Sequence, residues 1–108
     1  MKIQTPTEFQ TFADGICSVW TTLRNQPDKE LYHNLHFGAQ SLTYRRAYAA
    51  RAVRERIDRV IRIPYVNGVE QGQQVHIGTA RYTITQVQPI ESSNPRVKVL
   101  TLGRLEGL

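Results

Sequence analysis

At 108 residues, 40% of them apolar and including Trp20, five tyrosines and three phenylalanines, the chain has the length of one domain and enough apolar side chains for a modest core, which excludes disorder throughout. Its single cysteine, Cys17, excludes an internal disulfide and a cysteine-built zinc site. The net charge of +5 comes mostly from eleven arginines against three lysines, and seven of those arginines fall between Arg45 and Arg62, so charge here is a local feature that needs a local cause.

Residues 1–15 are mixed and polar: Lys2-Ile3-Gln4 suits a short strand that Pro6 ends, Phe9 and Phe12 suit one edge of a core, and Asp14-Gly15 is a turn signal. Met1 to Glu8 lacks an apolar leader core, and no stretch approaches the roughly 18 apolar residues of a membrane span, so the product is expected in the cytosol when made. Residues 16–24 are rich in β-branched and aromatic types and predict a strand, with Cys17, Val19, Thr21 and Leu23 on one face and Ile16, Ser18, Trp20 and Thr22 on the other. Cys17 lies in that apolar run and reads as a small core residue. Residues 25–40 read as a long connection, because Asn25-Gln26-Pro27-Asp28 breaks the strand and Leu31, Tyr32, Leu35 and Phe37 recur without a clean period.

Residues 41–56 predict an α-helix. Ser41 suits the N-cap, four alanines favour helix, and Tyr44/Tyr48 and Ala49/Val53/Ile57 recur at four-residue spacing. Residues 57–65 turn to strand, with Ile57, Arg59, Ile61, Ile63 and Tyr65 on one face, and Pro64 marks its end or an exposed edge. Residues 66–72 form a turn-rich loop around Asn67-Gly68. Strands follow at 73–77 and 80–88, joined at Gly78-Thr79, with Tyr82, Ile84 and Gln86 on one face of the second and Arg81, Thr83, Thr85 and Val87 on the other. Ser92-Ser93-Asn94-Pro95 is a turn, 96–102 is the last strand, and 103–108, like 1–15, is expected to be loose or ordered by a partner. The pattern predicts one mainly β domain over 1–108: a small antiparallel barrel of five to six strands with one inserted helix at about 41–56.

The chemistry-bearing residues argue against catalysis. His33 and His36 are three apart and His76 is distant, with no cysteine or carboxylate motif beside them, so no metal is expected. No nucleophile elbow, paired-carboxylate pattern or phosphate-cradling loop is present, so no cofactor and no enzymatic activity are expected. The arginine run (Arg45, Arg46, Arg51, Arg54, Arg56, Arg59, Arg62) has three readings: a solvated helix face, a nucleic-acid contact, or a subunit interface where guanidinium groups fork onto carboxylates and stack on aromatics. The alanines favour the interface, since they leave a shallow surface that another element can approach.

The order of these features resembles the small head-closure, or head–tail joining, proteins of long-tailed phages. The resemblance runs over roughly residues 16–102. Its carriers are the strand ending Val19-Trp20, the helix with Tyr44, Tyr48 and Ala49-Ala50, the strand ending Ile61-Arg62-Ile63-Pro64-Tyr65, and Val75-His76-Ile77-Gly78-Thr79-Ala80-Arg81-Tyr82-Thr83-Ile84. The short N-terminal part and the long 25–40 connection depart from the family's pattern. The resemblance implies a virion protein in a homo-oligomeric ring, dodecameric or hexameric, below the portal or adaptor. Tail proteins would dock beneath it, and double-stranded DNA would pass through without sequence-specific contacts. Tyr44, Arg45, Arg46, Tyr48, Arg51, Arg54 and Arg56 are the expected interface, and by position Val66, Asn67, Gly68, Val69, Glu70, Gln71 and Gly72 are the expected channel loop. Two alternatives stay open: a tail terminator or tail-completion protein, and a small OB-like nucleic-acid-binding barrel.

Overall fold

The computed structural model describes residues 11–40 and 57–105. They form six antiparallel strands: β1 (Gly15–Leu23), β2 (Gln26–Ala39), β3 (Arg59–Pro64), β4 (Gln74–Ile77), β5 (Ala80–Ile90) and β6 (Val97–Arg104). The neighbour order is β1-β2-β3-β6-β5-β4, and β1 also pairs with β4 through Ser18↔His76, Val19↔Val75 and Trp20↔Gln74. Mainly β structure is therefore as expected. No helix occurs among the described residues, and the one predicted for 41–56 lies outside them, as does the strand predicted at Lys2-Ile3-Gln4.

Alternation builds the core. Cys17 and Val19 of β1, Ile61 and Ile63 of β3, Val75 of β4, Tyr82 and Ile84 of β5, and Leu100 and Leu102 of β6 meet with Phe37 of β2 in one cluster. Burying each aliphatic side chain contributes roughly 1.5–3 kcal/mol. β6 is covered on both faces. Leu100 and Leu102 enter that cluster, while Val97 and Val99 join Val60 in a second one against Phe12, Ile57 and Ile90. Ile57 thus belongs with Val60, not with Ile61 and Ile63 as the sequence suggested.

The largest departure from expectation is the stretch 25–40. It is not a connection but a 14-residue strand, β2, turned back on β1 at Arg24-Asn25. Both turn residues are left-handed (φ 55° and 66°), as a two-residue hairpin of matching twist requires. The register Cys17↔Leu35, Val19↔Tyr32, Trp20↔Glu30, Thr22↔Pro27 advances further along β2 than along β1 at each step. Each shift is a β-bulge that inserts a residue and resets which face the following side chains occupy. Asn34, at φ 54°, sits in one of them.

Smaller corrections accompany it. A shift between Ile84 and Gln86 ends the face that Tyr82 and Ile84 share, so Gln86 is exposed and Val87 packs on the core instead. Leu23, expected inward, is 62% exposed at the hairpin end. The last strand runs two residues past its expected end, and Gly103 is buried within it. Residues 11–14 are not loose: Arg62 donates to the Thr11 carbonyl at 2.8 Å, and the Ala39 amide donates to the Asp14 carboxylate at 2.7 Å. Gly38 makes this knot possible, because a Cβ there would press on the Thr11 carbonyl and the Arg62 guanidinium.

Candidate functional site

The expected interface residues Tyr44, Arg45, Arg46, Tyr48, Arg51, Arg54 and Arg56 lie outside the described residues. The arginines that continue their run are both engaged. Arg59 stands over the Phe37 ring at 5.1 Å, and Arg62 ties residue 11 to the end of β2 by bonds to the Thr11 and Ala39 carbonyls. These two therefore hold the sheet together, leaving no bare guanidinium face at this end of the run.

The expected channel loop, residues 66–72, is anchored at its centre. Val69 is 3% exposed and belongs to the main core cluster. The Gln73 side chain braces the loop from within, donating to the Gly68 carbonyl at 2.8 Å and accepting from the Glu70 amide at 3.1 Å. Both strands of the β1–β2 hairpin hold it from outside: Tyr32 Oη donates to the Asn67 carbonyl at 2.5 Å, and Thr22 Oγ1 donates to the Gly72 carbonyl at 3.1 Å. Asn67, Gly68, Glu70, Gln71 and Gly72 remain exposed around the Val69 anchor. The loop is a fastened cap over one end of the core.

The hairpin itself is thinly supported. β4 covers β1 only at Ser18–Trp20, and β3 pairs with β2 only at Gly38 and Ala39. Among the described residues, the large apolar side chains that stay exposed (Ile16 at 48%, Leu23 at 62%, Leu31 at 36%) all belong to it. Elsewhere, cations lie over aromatic rings: Arg96 at 5.0 Å and Lys98 at 5.3 Å flank Tyr65, and Arg104 lies 5.9 Å from Tyr82.

Sequence reasoning missed a cleft of about 330 Å³ on the outer face of β1, β2 and β4, lined by Ile16, Cys17, Ser18, Glu30, His33, Asn34, His76 and Gly78. Two of the chain's three histidines line it: His76 pairs with Ser18, and His33 comes from the bulged part of β2, while His36, paired with Ile16, lies outside the lining. The Trp20 and His76 rings stack at 5.3 Å, Trp20 Nε1 donates to Ser18 Oγ at 2.9 Å, and Glu30 accepts from His33 Nδ1 at 2.8 Å. Burial, then nearby Arg81, pulls the His76 pKa below its ordinary value, and Glu30 pulls the other way. Burial pushes the Cys17 thiol up to about 11, against the lowering effect of Arg59, so at neutral pH it is a protonated core side chain. Only the hint of His33 and His36 at close spacing was readable beforehand, because the third histidine arrives through strand pairing.

Among the described residues, no three His, Cys, Asp or Glu side chains are grouped closely enough to enclose a metal ion, and no helix is long and apolar enough to cross a membrane. Comparisons with protein-family models, with curated proteins and with solved structures gave no match.

Proposed function

We propose that this chain is a non-enzymatic structural component of the phage head–tail interface. In this reading, subunits form a ring below the portal that closes the filled head, retains its DNA and offers the tail an attachment site. Each subunit is a small closed antiparallel barrel with a helix at 41–56 inserted between β2 and β3. The observation that carries the reading is the β1–β2 hairpin. It holds all the exposed large apolar side chains among the described residues, it is paired to the rest of the sheet over a few residues only, and it fastens both ends of the 66–72 loop. A monomer with such a hairpin suits assembly through contacts between unlike patches, the geometry that closes rings by rotation. The resemblance in order from β1 to β6 supplies the identity of the assembly.

The test is a phage with this gene disrupted. Filled heads should then fail to join tails and should lose their genomes, and a plasmid copy should restore both. Normally tailed, DNA-filled particles without the polypeptide would refute the reading. The nucleic-acid alternative is favoured by one feature, the cations beside Tyr65. It predicts DNA binding by the isolated monomer that weakens steeply with salt.

A further inference from the structure

The strand pairings divide the chain at a single covalent link. Residues 11–40 carry the β1–β2 hairpin, residues 57–105 carry β3 to β6, and residues 41–56 join the two parts. Inside each part the ladders are long: seven residue pairs hold β1 to β2, six hold β3 to β6, eight hold β5 to β6 and four hold β4 to β5. Between the parts they are short. β1 meets β4 at three pairs, and β2 meets β3 at Gly38 and Ala39.

Side chains close the seams that the backbone leaves thin. Cys17, Val19 and Phe37 of the hairpin part are buried in one cluster with Ile61, Ile63, Val75 and Leu100 of the other. Polar ties cross as well: Tyr32 to Asn67, Thr22 to Gly72, Arg62 to Thr11, and the Gln40 amide to the Val60 carbonyl at 2.9 Å. A hairpin that swung away would expose its core side chains at roughly 1.5–3 kcal/mol for each large one, so the slot it leaves has to be refilled. A hairpin of another copy presents Cys17, Val19 and Phe37 in the register that the slot accepts.

We propose that the β1–β2 hairpin is exchanged between copies of this chain, residues 11–40 of one completing the sheet of the next. Each contact just named is then re-formed between chains, so the interface needs no surface beyond those already fitted to each other. Hairpin and slot are different patches, so the exchange runs head to tail and closes where rotation allows. The link reaches far enough, since sixteen residues extend to about 55 Å. A link of this size also gives a chain's own hairpin an effective concentration only on the order of millimolar, which copies gathered in an assembly can match. The proposal rests on the ring-forming reading for its place in a particle, and on the strand pairings alone for its mechanism.

The experiment fastens the seam. Ser18 and His76 are partners across β1 and β4, so Ser18→Cys with His76→Cys suits a disulfide, with Cys17→Ala removing the native thiol. The reduced full-length variant at about 1 mM should give oligomers in size exclusion with light scattering. Oxidising that oligomer fraction should leave covalent multimers on a denaturing gel, while the dilute monomer fraction leaves single chains. Chain oxidised as dilute monomer should stay monomeric when concentrated. Amide spectra establish that the variant is folded, and the neighbouring pair, Trp20→Cys with Gln74→Cys, repeats the test at a second position. Oligomers whose disulfides all lie within single chains would overturn the exchange and leave the ring-forming reading standing. Equal oligomers from the pre-oxidised monomer, or no oligomer at about 1 mM, would overturn it too, whereas the ring-forming reading is decided by the phage lacking the gene.

Discussion

Asn34 occupies a left-handed conformation that asparagine tolerates and branched side chains do not (φ 54°). Its backbone turn helps set where Glu30 and His33 fall relative to β1. Asn34→Val should destabilise the fold by about 1–2 kcal/mol in urea unfolding, while Asn34→Gly should stay within about 0.5 kcal/mol of the parent. Equal effects of the two would show that the bulge does not depend on this conformation. His76 gives a second prediction. Its folded pKa is depressed, so the unfolded chain takes up a proton near pH 6.5 while the folded chain still resists. The stability this residue contributes is complete above pH 6.5 and is lost as pH falls through its folded pKa. The urea midpoint of the parent should therefore drop more steeply below pH 6.5 than that of His76→Gln, and parallel pH profiles would contradict it.

The hairpin and the 66–72 loop act as one element. Tyr32→Phe removes the bond to Asn67 and keeps the ring, so it should cost about 0.5–1.5 kcal/mol and speed amide exchange over 67–72. Adding Thr22→Val should release the Gly72 end as well. Exchange in 67–72 that matches the parent in both variants would mean that Val69 and Gln73 hold the loop unaided. Strands β1, β3, β4, β5 and β6 were legible because β-branched residues alternate in them, and the turns at Asn67-Gly68, Gly78-Thr79 and Asn94-Pro95 mark their ends. β2 was not legible, because its bulges break the period-two signal and Pro27-Asp28 imitates a loop. The same offsets hid the histidine cleft: no spacing along the sequence places His76 beside Ser18.

At the scale of the molecule, the sheet is a cycle of pairings in which β1 meets β4 over three residue pairs, while β3 meets β6 over six. β2 meets β3 over two pairs only, so opening starts at the seams that flank the β1–β2 hairpin, of which the β1–β4 seam is one. Val75→Ala, at that seam and fully buried, should cost about 2 kcal/mol or more and loosen the hairpin, whereas Leu100→Ala should cost about 2–5 kcal/mol and destabilise the whole sheet together. Hydrogen exchange separates the outcomes. Identical exchange patterns in the two variants would show that the sheet unfolds as a single unit.

β6 has a consequence for biosynthesis. The strand that fills the gap between β3 and β5 is the last of the six to leave the ribosome. Until Val97–Arg104 emerges, both neighbours present naked backbone to the crowded interior of the cell, and the valines and isoleucines meant for it have nothing to lie against. A message cut short before Val97 would yield sticky, aggregating debris, and a nascent chain paused there would depend on chaperones.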